Sequence, residues 1–116
     1  MWLFTKHGFY SVVKDNIKRD RFLVRARERV HLERLKALVS FNARIFETPS
    51  NDYRWRVVVC KKTWARIAEK LANGVDYPNF KNSVLNAEGL TDYEQALHRV
   101  WSIMYELQSK PVENRG

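Results

Sequence analysis

Two stretches of the chain place arginines at alternate positions, a spacing that suits contacts with phosphate groups. The first stretch carries Arg25 and Arg27, and the second carries Arg54 and Arg56. Because successive side chains of a β-strand point to opposite faces of the sheet, each stretch predicts a strand with one apolar face and one arginine-bearing face. Arginines on such a face contact phosphate oxygens without reading base sequence. These four residues are therefore the first candidate site.

A basic loop adds to this charge. The segments 8–13 and 22–27 predict an antiparallel hairpin, and the loop between them contains Lys18, Arg19 and Arg21. The chain has 21 Lys and Arg residues against 13 Asp and Glu, a net charge of +8. Such an excess on a small domain favours a polyanionic partner, either nucleic acid or an acidic protein surface. In the predicted helices, glutamates interleave with the cations, so the charge there also fits a role in solubility.

Strands and helices alternate among the elements that must position these cations. Apolar residues recur with helical spacing over 28–39 and 62–71, and Thr91 and Glu94 form the capping box of a last helix. Two-residue periodicity predicts the strands, which cover 2–13 (with a bend at Gly8), 22–27, 43–48 and 53–60. From the second strand onward the order is β-α-β-β-α, the ferredoxin-like unit without its final strand.

We therefore predict an α+β fold, a ferredoxin-like sandwich with a four-stranded, mainly antiparallel sheet, helices on one face and an extra C-terminal helix. The N-terminal strand would fill the vacant place beside 22–27, which makes the fold a circularly permuted version. The two arginine-bearing strands are then central neighbours, and their arginines share the open face. The last helix is a competing cover for that face. One domain is predicted over 1–108, with a flexible tail over 109–116.

Aromatic residues bear on what the arginine face would bind. RNA-binding domains of the ferredoxin-like class stack bases on exposed aromatic rings of the sheet. The alternation predicts that Tyr53 and Trp55 lie on the face opposite the arginines. Stacking would then depend on Phe9, Tyr10 or Phe46. The pattern thus indicates phosphate contact more than base recognition. The aromatic stripe of the last helix is interpreted as core or as a homodimer interface.

The connector after the second predicted helix is another candidate site. Asp76, Tyr77, Asn79 and Lys81 would line a small cleft at the sheet edge if the protein were an enzyme or a small-anion binder. The alternative role is structural. In that case Tyr77 and Phe80 attach the connector to the core, while the polar side chains cap backbone groups.

Residues for catalysis or metal binding do not form a recognisable pattern. The histidines are scattered, the four glycines stand singly, and Cys60 is the one cysteine. We interpret Cys60 as a structural residue and expect no cofactor and no metal. The sequence favours a non-catalytic protein over an enzyme. No apolar run reaches the length of a membrane span, and the N-terminus lacks a signal-peptide pattern. The expected location is the cytoplasm.

Six motifs, in order along residues 1–108, give the chain a resemblance to a protein family. They are MWLFT (1–5), GFYSVV (8–13), VRAR (24–27), DYRWR (52–56), DYPNFK (76–81) and VWSIMY (100–105). The chain resembles a family of small bacterial proteins of about this length whose function is unknown, although Pro78 departs from the polar residue expected there. The resemblance implies a single cytoplasmic domain and no particular activity. It draws attention to Arg25, Arg27 and the 76–81 connector.

Three functional hypotheses follow from the sequence. The first is a non-catalytic protein that binds nucleic acid through the arginine face and the basic loop. The second is a small regulatory or inhibitory protein, in the manner of a phage or mobile-element accessory factor, that binds an acidic protein surface and forms a homodimer. The third is an enzyme or small-anion binder centred on the 76–81 connector.

Overall fold

The computed structural model describes residues 1–85 and 90–109. The fold is α+β, with five strands and four helices in that part of the chain. The strands are β1 (Trp2–Thr5), β2 (Gly8–Lys14), β3 (Arg21–Ala26), β4 (Phe46–Glu47) and β5 (Trp55–Cys60). The helices are α1 (Arg29–Leu38), α2 (Lys61–Asn73), α3 (Phe80–Val84) and α4 (Thr91–Ser109).

The strands form one antiparallel sheet in the order β1-β2-β3-β5-β4. The two arginine-bearing strands, β3 and β5, are central neighbours as predicted, with Arg25 opposite Arg56. The expected count of four strands was too low, because the N-terminal segment forms a hairpin of its own. Gly8 permits this turn: its φ is +150°, and a Cβ there would lie 2.4 Å from the His31 ring.

Helices α1 and α2 cover one face of the sheet and form the main core with it. The fully buried members from the strands include Tyr10, Val24 and Val57, and the helices contribute Leu35 and Ile67. These strand residues follow the two-residue period, and the helix residues follow the helical period, so each element turns one apolar side inward. The sequence pattern predicted this layer correctly.

The strand predicted over 53–60, which carries the second arginine pair, is shorter in the structure. Tyr53 therefore lies outside the strand and on the other face of the sheet. Strand β5 begins at Trp55. The two carbonyl groups before it accept hydrogen bonds from Thr48. The Thr48 hydroxyl donates to the Tyr53 carbonyl at 3.0 Å, and the Thr48 N–H donates to the Arg54 carbonyl. The alternation therefore breaks before Trp55. Trp55 packs against the helix-covered core, whereas Tyr53 packs with Phe9, so the prediction that they share a face is wrong.

Strand β4 is also shorter than the predicted segment 43–48. Its two residues are Phe46 and Glu47, which pair with Arg56 and Trp55. At the start of the predicted strand, the Ala43 carbonyl accepts a hydrogen bond from the Lys36 side chain of α1. This backbone group is therefore used by a helix side chain, and ladder pairing begins only at residue 46.

A second, smaller core closes one end of the sheet. It joins Phe9 and Tyr53 to Val84 of α3, to Leu90, and to the first turns of α4. The Tyr93 hydroxyl donates to the Thr5 carbonyl at 2.8 Å, which anchors α4 to the β1–β2 turn. Helix α4 thus covers only the Phe9 and Tyr53 end of the open face.

Beyond that anchor, helix α4 extends into solvent. Its side chains from Trp101 to Gln108 are exposed, including the aromatic residues Trp101 and Tyr105, which stack on each other. Between the second and the last helix, the sequence also predicts a short helix over 82–87 that ends at Gly89. Helix α3 covers Phe80–Val84, and residues 86–89 lie outside the described residues. The predicted tail over 109–116 also lies outside them, except that Ser109 ends α4. No helix in the described part of the chain is long and apolar enough to cross a membrane.

Candidate functional site

A single row of side chains runs across all five strands on the open face. The register aligns Trp2 with Ser11, Ser11 with Arg25, Arg25 with Arg56, and Arg56 with Phe46. Directly opposed residues of paired strands lie on the same face of the sheet. We call this set the central row. It places two arginines in the middle of the sheet and one aromatic residue on each edge strand.

Arg25 and Arg27 share the ring of Tyr53. The Cζ atoms of the two guanidinium groups lie 4.5 Å and 4.3 Å from the ring centroid, and Arg27 also lies 5.7 Å from the centroid of Phe9. Arg25 Nη2 donates to Ser11 Oγ at 2.7 Å. A cation over an aromatic face gains about 0.5–2 kcal/mol, so the ring offsets part of the repulsion between the two like charges.

Arg56 joins this group through the backbone of the same tyrosine. Its Nε donates to Thr48 Oγ1 at 3.1 Å and to the Tyr53 carbonyl at 3.4 Å. Tyr53, only 3% exposed, therefore contacts three arginines, two through its ring and one through its carbonyl group. We call Tyr53, Arg25, Arg27 and Arg56 the Tyr53 cluster. Among residues 1–85 and 90–108, no carboxylate oxygen lies within 4.0 Å of the three guanidinium groups. Their charge remains available to an anion.

Arg54 does not belong to this cluster. Its Nε lies 2.6 Å from Glu47 Oε2, and its guanidinium group is 5.8 Å from the ring of Trp55. Arg54 precedes β5, where the strand alternation has not begun, so its side chain follows the path of the loop. Three of the four arginines in the predicted patch come together, and the fourth pairs with a carboxylate.

Arg25 and Arg27 do not pair with Asp76 or Glu94, so these two carboxylates do not neutralise the arginines of the open face. Asp76 lies 3.1 Å from Lys6, and Glu94 lies 2.8 Å from His98.

Exposed aromatic residues flank the arginines. Trp2 is 68% exposed, and Phe4 and Phe46 are 39% and 38% exposed. Phe4 stacks on Phe9 with a centroid separation of 4.5 Å, so the ring is held in place while one side remains accessible. Of the expected stacking residues, Phe46 is exposed, whereas Phe9 and Tyr10 are buried.

The sequence-based prediction did not include Trp2 and Phe4. The signal that would have found them is the two-residue period within β1, which puts both residues on the face of their partners Ser11 and Phe9. The prediction of one bent strand over 2–13 does not include this pairing, because it leaves β1 and β2 in a single strand.

The basic loop lies at the opposite end of β3 from Arg27. Lys18 and Arg19 are exposed, and Arg21 begins the strand. Lys18 and Arg21 border a cavity of about 490 Å³ together with Cys60 and Thr63. Six strand residues span roughly 20 Å, so the loop and the Tyr53 cluster mark the two ends of the open face.

Groups for covalent or metal chemistry do not converge among residues 1–85 and 90–108. No three His, Cys, Asp or Glu side chains there come close enough to hold a metal ion. The hydrogen bond between Cys60 Sγ and Thr63 Oγ1, at 3.1 Å, holds the pKa of the thiol below its usual value. The side chains that line the adjacent cavity include no histidine to act as a base.

The four connector residues predicted to line a cleft lie in four different environments. Asp76 pairs with Lys6, which lowers the pKa of its carboxyl group, and Tyr77 borders a cavity of about 290 Å³ between β1 and α2. Asn79 caps α3 by accepting a hydrogen bond from the Asn82 N–H, and Lys81 Nζ lies 4.8 Å from the ring of Trp101. The structure does not bring these four side chains together at one point.

No protein-family model, no curated protein and no solved structure gives a significant match to the chain.

Proposed function

We propose that the open face of the sheet binds single-stranded nucleic acid. The observation that carries this proposal is the central row: arginines with no carboxylate partner among the described residues lie between exposed aromatic residues on the two edge strands. Proteins that bind single strands combine a cationic track for the phosphates with aromatic rings that stack on the bases. Trp2, Phe4 and Phe46 supply the rings, and Arg25, Arg27 and Arg56 supply the cations.

The strand order supports a finer proposal about the fold. Strands β3, β4 and β5 with helices α1 and α2 follow the β-α-β-β-α order of a ferredoxin-like unit, and β2 occupies the place of its final strand. We propose a circularly permuted ferredoxin-like sandwich with β1 added at the edge. In that arrangement the open sheet face is the surface that RNA-binding members of the class use.

The basic loop extends the same surface in this proposal. Lys18, Arg19 and Arg21 lie at the far end of β3 from Arg27, so a strand that crosses the sheet would meet cations at both ends. The net charge of +8 increases the rate of encounter with a polyanion. We expect binding that weakens as salt increases.

The test compares two double variants that remove the same charge. A fluorescein-labelled single strand is titrated by anisotropy at several salt concentrations with Arg25→Ala/Arg27→Ala and with Arg54→Ala/Arg66→Ala. The second variant is the control, because Arg54 pairs with Glu47 and Arg66 is an exposed residue of α2. The logarithm of affinity falls by about 0.7 per contacted phosphate for each tenfold increase in salt. The first variant should lower this slope by about 1 to 1.5 and weaken binding about tenfold or more, and the second should lie close to the wild type.

Two results would contradict the proposal. One is the absence of binding to single-stranded DNA or RNA at low salt by the wild-type protein. The other is an unchanged affinity and salt slope in Arg25→Ala/Arg27→Ala, which would exclude the open face as the site.

An acidic protein surface is the second candidate partner. Arginine and tryptophan are the residues that most often dominate protein interfaces, and the open face presents both, with Trp2 and Arg25 in the same row. A complex that survives nuclease treatment and is lost in Arg25→Ala/Arg27→Ala would favour this candidate. A complex that nuclease removes would favour nucleic acid.

A further inference from the structure

A groove lies beside the open face, between the β1–β2 hairpin and helix α4. Its volume is about 350 Å³, at the lower end of the range of roughly 300–1,000 Å³ for small-ligand sites. Trp2, Phe4 and Arg27 border the groove and also belong to the open face, so the two surfaces are continuous. Tyr93 and Leu97 of α4 form the opposite wall.

One side chain that lines this groove has a buried polar atom that forms no hydrogen bond with the described residues. His31 lines the groove and is only 4% exposed, and its Nδ1 accepts a hydrogen bond from the Phe9 N–H at 3.3 Å. Burial lowers the pKa of His31 to about 4, so the ring is neutral and its single hydrogen lies on Nε2. That Nε2 forms no hydrogen bond among the described residues. An unsatisfied buried donor costs about 1–3 kcal/mol, so its presence beside a groove points to a ligand.

A carboxylate stands next to this donor. Glu28 Oε2 lies 3.5 Å from His31 Nε2 without hydrogen-bonding geometry, and Asp92 lines the same groove. Burial and the neighbouring Asp92 raise the pKa of Glu28. The wall of the groove therefore contains a buried N–H donor beside a carboxylate acceptor, and the rest of the lining is largely apolar.

This pairing matches the edge of a nucleobase better than a phosphate. Each base carries a hydrogen-bond donor beside an acceptor on its Watson–Crick edge, as adenine does with its amino group and N1, and proteins that bind single-stranded RNA read that edge on splayed bases. Two carboxylates would repel a phosphate, and the arginines outside would attract it. The charges therefore favour a base inside the groove and the phosphate backbone on the arginines outside it.

We propose that the groove receives one unstacked base of a single strand whose phosphates lie on Arg25 and Arg27. The base inserts between the Trp2 and Phe4 wall and Tyr93, and its edge contacts His31 Nε2 and Glu28. This inference rests on the proposed function and extends it from phosphate contact to recognition of an unpaired base.

The test uses two strands of equal length and charge, one ordinary and one made of abasic nucleotides. Stacking of a base on a protein ring is worth about 1–3 kcal/mol, or roughly 5- to 150-fold, so the wild type should bind the ordinary strand at least about 5-fold more tightly. Ala96→Trp fills the groove from the exposed side of α4. It should remove most of this preference and leave binding of the abasic strand and its salt slope unchanged.

Two further variants make the result specific. Ala65→Trp is the matched control, because Ala65 is an exposed residue of α2 away from the groove, and it should keep the full preference. Glu28→Gln keeps the shape of the side chain and replaces one acceptor oxygen with a donor, so it should reduce the preference several-fold. Ala65→Trp should leave binding of the abasic strand unchanged. Glu28→Gln removes a negative charge and should strengthen binding of both strands, so for this variant the measured quantity is the ratio of the two affinities.

The outcomes separate this inference from the proposed function. Equal affinity of the wild type for the two strands overturns the base site and leaves the arginine face as a phosphate-binding surface. An equal loss of preference in Ala65→Trp and Ala96→Trp also overturns it. Absence of binding to both strands overturns the proposed function and the base site together.

Discussion

The two faces of the sheet are built from residues that are next to each other in sequence, because successive side chains of a strand point to opposite faces. On the helix-covered face, Val24 and Val57 are fully buried against α1 and α2. On the open face, their immediate neighbours Leu23, Arg25 and Val58 are only half-buried. The same backbone ladder therefore serves stability on one side and presents cations and aromatic rings on the other. Residues next to each other in sequence should thus give opposite phenotypes when changed.

The largest expected difference is in stability, and two leucines test it. Leu35 is fully buried in the helix-covered core, whereas Leu23 lies half-buried on the open face. Leu35→Ala should lower the free energy of unfolding by about 2–5 kcal/mol, the usual cost of a core cavity. Leu23→Ala should cost less than about 1.5 kcal/mol. Urea unfolding followed by circular dichroism measures both values.

Equal losses in the two leucine variants would break the comparison of the faces. That result would mean that the open face is covered in solution to the same degree as the helix-packed face. The open-face proposal for nucleic acid would then need a conformational change to expose the site.

A smaller effect is expected from pH, through the histidine that lies where the core meets the α4 groove. His31 has a pKa of about 4 in the folded protein, mainly because of burial and also because of Arg34, against 6.5 as the ordinary value. Between these values the unfolded chain binds more protons, so the free energy of unfolding should fall as pH decreases from about 6.5 to about 4. The loss is at most roughly 3–4 kcal/mol, since each pH unit contributes roughly 1.4 kcal/mol.

The measurement is urea unfolding at several pH values for the wild type and for His31→Gln. The variant should show a flatter dependence over the same range, because glutamine does not titrate there. A parallel dependence in the two proteins would assign the acid sensitivity to carboxyl groups and would contradict the role of His31.

The smallest effect on stability and affinity is expected for Arg54, which was predicted in the arginine patch but lies outside the Tyr53 cluster. Arg54 and Glu47 form an exposed pair at 2.6 Å, and exposed pairs contribute about 0.2–1 kcal/mol. Arg54→Ala should therefore cost less than about 1 kcal/mol and should leave affinity for a single strand nearly unchanged. A loss of affinity comparable with that of Arg25→Ala would extend the binding surface beyond the Tyr53 cluster.

Several features of the site could be predicted because they depend on short-range periodicity. The alternation around Arg25 depends only on the two-residue repeat of a strand, and the β-α-β-β-α order indicated that β3 and β5 would be neighbours. Asn79 as the cap of α3 likewise follows from a local preference for asparagine at helix starts. Each element in these inferences is recognised from residues within a few positions of one another, and the order of the elements then indicates which strands are neighbours.

Other features were missed because they depend on where distant segments meet. Tyr53 lies on the face opposite to the predicted one, because Thr48 forms hydrogen bonds with the backbone before β5. The strand propensity of the individual residues does not predict that contact. The groove joins Trp2, Phe9, His31 and Tyr93, which come from four separate elements. No spacing rule connects such residues, so their convergence could not be read from the chain.

The sequence by itself determined the layer arrangement, the arginine-bearing strands and the basic charge of this protein, because strand and helix periods and net charge are local or additive properties. Only the tertiary structure decided which arginines share a partner, which aromatic rings remain exposed, and that a buried histidine lines a groove beside α4. These properties depend on strand register and on the docking of α4, which long-range packing selects. The chain thus specified a cationic sheet, and its folding turned part of that sheet into a candidate site.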